Sequence, residues 1–363
     1  MGRMGQRTGF VRCRRTALFC AACAFLLLFS LKRVEAQTPE AEKPIPILSG
    51  SIGTFGFVTG GQNLIDTQIN PVLLVPLGER WLIEARAEFE GEFQRPPEGG
   101  PYQGPVDKHL DYAQLDYIVN PYLTVTAGRF LTPFGIFNER LYPVWIRFLQ
   151  PDPLTLPINT APSDGAMLRG GFTVNAHANI NYAAYVSATS IGFESVDSER
   201  HGGGRMGLFF PGIRLEVGGS FQHTLQDDRK NAFGFHASWQ PTKLPLSVRS
   251  EMVRSFEGSG YWAEGAYQLS HVHFWQKAMR HTQLVGRAQQ FFVGEINPDL
   301  AADLGLPLAN TRMGELGVNY FLRDGLKAIA SYGRGFSPAG NFNQWSYGIA
   351  YRFLIPLGPT GAQ

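Results

Sequence analysis

The chain has 363 residues, of which 13% are aromatic and 42 are glycine. Residues 1–36 hold 7 of the 32 Lys and Arg but only 1 of the 30 Asp and Glu, which leaves residues 37–363 with a net charge of about −4. That balance excludes a basic nucleic-acid-binding surface, and no apolar run of 18 residues in 37–363 predicts a membrane-spanning helix.

Residues 1–36 have the composition of a secretion signal. A basic stretch with five arginines precedes the apolar run 17–31, and Val34-Glu35-Ala36 has small or apolar residues at −3 and −1. We predict cleavage after Ala36; the alternative is an uncleaved membrane anchor, but a spanning helix needs about 20 apolar residues. All three cysteines lie in this segment, so the mature chain would lack disulfides, zinc–thiolate sites and cysteine nucleophiles.

Period-two patterning begins clearly at residues 81–93. The odd positions from Trp81 to Phe93 are all apolar or Gly, whereas the even positions from 84 to 92 are Glu or Arg. Side chains of a strand alternate between two faces, so one face is apolar and the other charged. The same pattern recurs along the chain, most clearly at 213–222, 233–240, 246–252 and 345–353.

The lengths of the strands and of their connections favour a membrane barrel over a soluble β-sandwich, which would also alternate. Many strands have ten residues or more, enough to cross a bilayer at a tilt. Short links follow the even strands and long links follow odd ones, chiefly 94–107, 131–163, 190–203 and 293–311. We predict an all-β, transmembrane antiparallel barrel of about 16 strands, although 14 or 18 also fit and residues 270–279 are long for a tight turn.

This assignment divides the chain into four parts. They are the signal peptide 1–36, a periplasmic N-terminal segment 37–49, an outer-membrane β-barrel 50–354 and a C-terminal tail 355–363. An apolar exterior leaves the charged face toward the lumen, and only an aqueous channel would solvate so many charges. The predicted pore-lining residues are Glu84, Arg86, Glu88, Glu90, Arg169, Arg214, Glu216, Arg249, Glu251, Arg287 and Arg352.

The connection 131–163 is the candidate constriction, because its aromatic composition is too apolar for a solvated loop. We expect it to fold into the lumen; the alternative is an external cap packed on itself. The residues assigned to the constriction are Arg129, Glu139, Arg140, Trp145 and Arg147. Arg129 shares its parity with apolar Leu123, Val125 and Ala127, so either a bulge at Gly128 turns it inward or it lies above the membrane.

The stretches 115–117, Leu-Asp-Tyr, and 123–135, Leu-Thr-Val-Thr-Ala-Gly-Arg-Phe-Leu-Thr-Pro-Phe-Gly, resemble the signature of the phosphate-selective porin O and P family. Residues 249–251, 260–262 and 284–287 resemble its later strands less closely. The resemblance implies a sixteen-stranded barrel with a constricted lumen, usually a homotrimer. That family lines its pore with many lysines, whereas residues 37–363 contain six lysines. Preference for anions such as phosphate is therefore a hypothesis that rests on Arg140 and Arg147.

The sequence predicts a porin, a passive diffusion channel for small hydrophilic solutes or ions, with no catalytic residues, metal or cofactor. No phosphate-binding Gly-rich loop, zinc-protease motif or nucleophile elbow is present. The expected partners are outer-membrane lipid, the solutes, two further copies of the chain and the barrel-assembly machinery. The alternatives are an outer-membrane enzyme with its site at the rim, or a surface or binding β protein without conductance.

Overall fold

The computed structural model describes residues 45–96, 99–158, 160, 162–188, 200–225 and 229–358. They form sixteen antiparallel strands, each paired with its neighbours in sequence, and β1 pairs with β16 to close a barrel. The predicted signal segment 1–36 lies outside the described residues. The strands are β1 (Ile47–Thr59), β2 (Gln62–Leu77), β3 (Trp81–Gln94), β4 (Val106–Asn120), β5 (Leu123–Phe130), β6 (Ser163–Asn175), β7 (Ala178–Ala188), β8 (His201–Phe210), β9 (Leu215–Thr224), β10 (Asn231–Trp239), β11 (Leu246–Arg254), β12 (Gly258–Gln268), β13 (Thr282–Val293), β14 (Thr311–Arg323), β15 (Leu326–Phe336) and β16 (Phe342–Pro356).

The alternating pattern places polar side chains inside and apolar side chains outside. On β3, Arg86 and Glu88 are only 4% and 3% exposed, whereas Ile83 and Phe89 are 37% and 39% exposed. This inversion confirms the predicted barrel and rejects the β-sandwich, whose apolar faces would be buried.

The barrel has two different ends. We call the end with the strand termini at residues 47 and 356 the turn end, and the opposite end the loop end. Residues 270–279 belong to a turn-end connection that contains a 3₁₀ turn (Leu269–His271) and one helical turn, α1 (Gln276–Met279), so no strand is missing there. A second short helix, α2 (Pro298–Asp303), lies at the loop end. None of the helical segments in the described chain is long and apolar enough to cross a membrane.

Several strands extend beyond their predicted limits. β1 begins at Ile47 and β16 ends at Pro356, because these two residues face each other in the pairing that closes the barrel. β8 begins at His201, within the stretch 190–203 that was predicted as a long connection. The extra residues of β1 and β16 pair with each other across the whole length of the chain, and His201 of β8 pairs with Thr224 of β9. A local pattern does not reveal either pairing.

A β-bulge interrupts the pairing of β3 with β4. Arg86 faces Tyr112 and Ala87 faces Leu110, so Asp111 is the extra residue on β4. A bulge locally re-aims side chains, and here the Asp111 carboxylate meets the Arg86 guanidinium at 2.5 Å.

Candidate functional site

Residues 131–162, here called the inner loop, leave β5 at the loop end and turn into the barrel. Gly135 permits the turn because its φ is +67°, a conformation that disfavours residues with a side chain. The Glu251 carboxylate on β11 accepts hydrogen bonds from the backbone N–H groups of Ile136 at 2.6 Å and Phe137 at 3.2 Å. The predicted inward fold of this loop is thus confirmed.

Aromatic side chains attach the inner loop to apolar patches on the inner wall. Phe134 is buried in a cluster with Val253 and Phe291, and Phe137 packs edge-on against Trp262 with ring centroids 5.8 Å apart. Each large apolar side chain that is fully buried stabilises its site by about 1.5–3 kcal/mol. Aromatic composition therefore keeps the loop inside the barrel instead of above it.

The remaining backbone of the inner loop is held by polar side chains from β13, β14 and β15. Arg287 donates to the carbonyl of Pro151 at 2.6 Å, and Asn319 donates to that of Phe148 at 2.9 Å. Lys327 donates to the carbonyls of both Trp145 and Arg147 at 2.7 Å. Buried carbonyl groups need such partners, so these strands carry side chains specific to the loop.

Two of the predicted pore-lining arginines point inward but lie beneath the inner loop. Arg249 pairs with Glu264 at 2.7 Å and lies 3.5 Å from the ring centroid of Phe148. Arg287 pairs with Glu315 at 2.7 Å. Both arginines are 5% exposed or less, and Arg287 binds the loop backbone while Arg249 lies over a loop aromatic ring, so they support the loop.

On the opposite wall, ion pairs join the π-helical turn Phe137–Leu141 of the loop to β8 and β9. Arg140 pairs with Glu216 of β9 at 2.8 Å, and Glu139 pairs with Arg205 of β8. Both acidic and basic members of this turn are therefore partly neutralised by the wall.

Tyr142 connects the loop to β3. Its hydroxyl donates to Glu88 at 3.1 Å, and Glu88 also accepts from Asn70 at 2.8 Å. Burial raises the pKa of the Tyr142 phenol well above its usual range, so it stays protonated and able to donate. The loop is thereby held against this wall near its middle.

Arg147 is one of the two arginines on which the hypothesis of anion preference rests, and its side-chain contacts lie within the inner loop. It is 3% exposed, pairs with Asp152 at 2.8 Å, donates to the carbonyl of Tyr142 and lies 4.5 Å from the centroid of that ring. Its guanidinium joins residues of the loop on both sides of it in sequence, so we assign it a role in the structure of the loop.

Cavities border the inner loop at both ends of the barrel. At the loop end, an acidic cavity of about 440 Å³ lies beside Asp66, Glu90, Glu92, Asp152 and Arg147. A second loop-end cavity of about 380 Å³, the rim cavity, is lined by Arg86, Asp111, Leu131, Tyr142 and Phe256, among others. Toward the turn end, a basic cavity of about 280 Å³ is lined by Arg86, Leu131, Glu139, Arg140, Trp145 and Arg352.

Arg86 and Leu131 line both the rim cavity and the basic cavity. Arg86 is fixed by Asp111 and lies 5.7 Å from the ring centroid of Tyr112 and 5.1 Å from that of Tyr142. The two ends of the lumen therefore approach each other at this arginine.

A fourth, smaller cavity of about 110 Å³ adjoins this region and is lined by Glu84, Glu139 and Arg169, among others. Arg169 pairs with Asp116 at 3.0 Å. Of the predicted pore-lining set, Glu84, Arg86, Glu90, Arg169 and Arg352 line cavities, whereas Glu88, Glu216 and Glu251 bind the inner loop.

Two assignments need correction. Arg129 is not part of the constriction: it lies on the outer face of β5, where it pairs with Asp164 of β6 at 3.0 Å and donates to the Leu110 carbonyl at 2.9 Å. No bulge occurs at Gly128, which stays in register with Gly165. Arg214 does not line the lumen, because it lies in a turn-end connection with φ +53° and bonds Gln240.

The sequence alone did not single out Asp111, Arg205 or Tyr142 as site residues. Arg205 has inward parity on β8, since it faces Ser220 and Ala183 in the pairing, but the visible alternation there was too short. Asp111 acts through a bulge and Tyr142 through a long-range contact. In the described residues, no group of three or more His, Cys, Asp or Glu is arranged to hold a metal ion.

Comparisons with known proteins agree with this architecture. No family model and no curated protein matches the chain. Solved structures do: the anion-selective porin from Comamonas acidovorans is 10% identical with a TM-score of 0.53, over 85% of this chain and 99% of that one. OmpF of Salmonella typhi, in a complex with daunomycin, is 12% identical with a TM-score of 0.55, over 85% and 97%. OprB of Pseudomonas putida is 9% identical with a TM-score of 0.55, over 85% and 92%. The fold of this chain is thus that of outer-membrane porins.

Proposed function

We propose that this chain is an outer-membrane porin that lets small hydrophilic solutes diffuse passively through its lumen. The observation that carries the proposal is the shared lining of the rim and basic cavities by Arg86 and Leu131. A polar lumen, an apolar exterior and an inner loop bordered by cavities at both ends of the barrel all favour diffusion graded by size.

The finer proposal is a preference for anions, set on the turn-end side of the inner loop. The basic cavity has Arg86, Arg140 and Arg352 against Glu139. Conversely, the acidic cavity has four carboxylates against Arg147. We assign selectivity to the arginine side because Arg86 lies where the two ends approach each other, and a charge acts most strongly at the narrowest section.

The cellular setting follows from the sequence and the resemblance. We propose export through a signal peptide cleaved after Ala36, insertion by the barrel-assembly machinery into the bacterial outer membrane, and association as a homotrimer. Kinship with the phosphate-selective porin O and P family rests on residues 115–117 and 123–135. The lipid-facing apolar surface, with Leu316 71% exposed and Ile349 53% exposed, supports a bilayer around the barrel.

Solute flux into liposomes tests the size grading directly. Residues 37–363, refolded in detergent and reconstituted into sealed vesicles, are mixed with isotonic solutions of uncharged sugars of increasing size. We expect rapid swelling with monosaccharides and progressively slower swelling with larger oligosaccharides. Vesicles that hold folded barrel, shown by heat-modifiable gel mobility, but never swell would contradict the proposal and favour a surface protein or a rim-active enzyme.

A further inference from the structure

Two arginines face outward at the loop end of β14 and β15. On these strands Met313, Glu315 and Gly333 point into the barrel and are buried, so the alternate residues Arg312 and Arg334 point outward. Lower on the same outward face, Leu316 is 71% exposed. The two cations therefore lie above an apolar wall instead of inside the channel.

Both arginines flank one aromatic ring. The guanidinium carbon of Arg312 is 5.4 Å and that of Arg334 is 5.7 Å from the ring centroid of Phe336. Arg334 also donates to the Asn343 side chain at 2.6 Å. Within the described residues, neither arginine forms an ion pair with a carboxylate, so two positive charges share one small surface without a counter-charge.

An outward arginine on β5, elsewhere on the barrel, has a counter-charge. Arg129, also near the loop end, is neutralised by Asp164 at 3.0 Å. An outward charge costs little near the interface and about 2–4 kcal/mol at the bilayer centre. The barrel thus supplies a carboxylate for Arg129 but none for the pair on β14 and β15, which leaves that pair available to an external anion.

Aromatic side chains indicate the height of the arginine pair in a membrane. Tyr332 and Trp345 lie on the same outward face, with ring centroids 4.6 Å apart, and Val318 and Ile349 follow toward the middle. Tyr and Trp concentrate where hydrocarbon meets headgroups. Arg312 and Arg334 lie closer to the loop end than this aromatic pair, and therefore at the level of the headgroups.

A concave surface adjoins Arg312. It encloses about 430 Å³ and is lined by Gln290, Asn310, Thr311, Arg312, Phe336 and Ser337, with two further residues. Amide and hydroxyl groups beside an arginine fit a phosphorylated sugar, since each can donate to phosphate or hydroxyl oxygen. The Phe336 ring, 40% exposed, offers an apolar contact to an adjoining acyl chain.

We propose that Arg312, Arg334 and Phe336 form a binding site for the phosphorylated headgroup of a membrane glycolipid in the leaflet at the loop end. The inference goes beyond the proposed channel function and rests on it only for the membrane in which the barrel lies. The arginines donate charge-assisted hydrogen bonds to phosphate, and the polar concavity holds the sugar. A lipid bound here would pack against β13 to β16 and seal this part of the barrel wall.

Native mass spectrometry of the full mature chain in detergent tests the site, with purified diphosphoryl lipid A as the probe. We expect saturable binding by the unaltered chain. Arg312→Gln and Arg334→Gln should each weaken it about fivefold and the double variant about 25-fold, since a basic residue near an anionic lipid surface contributes about 1 kcal/mol. Arg323→Gln, which changes an exposed arginine at the turn end of β14, should bind as the unaltered chain does.

Three outcomes would overturn the assignment. They are equal binding of dephosphorylated lipid A, equal binding by the double variant, or displacement of lipid A by millimolar inorganic phosphate, which would indicate a site for soluble anions. Conductance is measured on the same samples and should be unchanged in the double variant, because neither arginine reaches the lumen. A chain that binds lipid A through these arginines but conducts no current would uphold the site and contradict the channel.

Discussion

Arg86 of β3 is held by Asp111, the extra residue of the bulge on β4, with Nε and the carboxylate oxygen 2.5 Å apart. The bulge places an acid beside the arginine that lines cavities on both sides of the inner loop. One irregularity in strand pairing thus fixes the position of Arg86 and adds a carboxylate beside it at the proposed narrow section.

Replacing Arg86 tests its role in selectivity. Arg86→Gln should lower the chloride-to-potassium permeability ratio by up to about fivefold, because a unit charge at ~4 Å in water contributes about 1 kcal/mol. Reversal potentials under a KCl gradient measure the ratio. Arg254→Gln, an outward arginine on β11 with an exposed side chain, is the matched control; an equal shift in both variants would refute a local role for Arg86.

Glu251 is expected to hold the entrance of the inner loop. Glu251→Ala removes the acceptor for the N–H groups of Ile136 and Phe137, and each buried donor left without a partner costs about 1–3 kcal/mol. We expect a larger, noisier conductance and a lower unfolding temperature by heat-modifiable mobility. Glu251→Gln keeps an acceptor oxygen and should restore most of both properties; a Gln variant as impaired as Ala would point to the charge instead.

Lys327 should stabilise the inner loop through its two carbonyl contacts. Lys327→Met leaves the Trp145 and Arg147 carbonyls without this donor, so we expect a loss of about 1–3 kcal/mol in unfolding free energy. Urea titration of the refolded barrel measures it. Lys277→Met, on the exposed turn α1, should change stability by less than about 0.5 kcal/mol, and an equal loss there would show that Lys327 has no special contact.

Replacing Arg140 should change ion selectivity, whereas replacing Arg147 should change stability. Arg140 is about a third exposed and pairs with Glu216, so Arg140→Gln should free that carboxylate and shift the reversal potential toward cations with little change in stability. Arg147→Met should instead destabilise the loop by about 1–3 kcal/mol, because the guanidinium is buried within it. The same phenotype in both variants would contradict the division of roles.

The fold was predictable because the alternation is strong and local. The charged face at 84–92 identifies β3 without any neighbour, and the sixteen strands follow from repeats of that pattern. The placement of Arg129, by contrast, depends on a partner distant in sequence. Arg129 has the outward parity that its neighbours indicate, but the acid that makes this position tolerable, Asp164, lies across a strand pair.

The candidate site was less predictable than the barrel. Composition indicated that residues 131–163 fold inward, yet it did not show that Arg147 would pair within the loop or that Arg249 and Arg287 would lie beneath it. The position of a residue in the alternating pattern predicts which face of the strand its side chain occupies. It does not predict whether that side chain contacts water or another segment of the chain. The prediction that Arg214 lines the pore was wrong for a local reason, because the turn after β8 includes Arg214 and β9 begins only at Leu215.

Single-channel recording tests the central proposal most directly. Residues 37–363 are refolded, added to a planar lipid bilayer and recorded under a KCl gradient. The proposal predicts stepwise conductance with a reversal potential on the chloride side, reduced by Arg86→Gln. A folded, inserted barrel that conducts no current would contradict the proposed channel function. A reversal potential on the potassium side would agree with a channel but would assign its selectivity to the acidic cavity at Asp66 and Glu90.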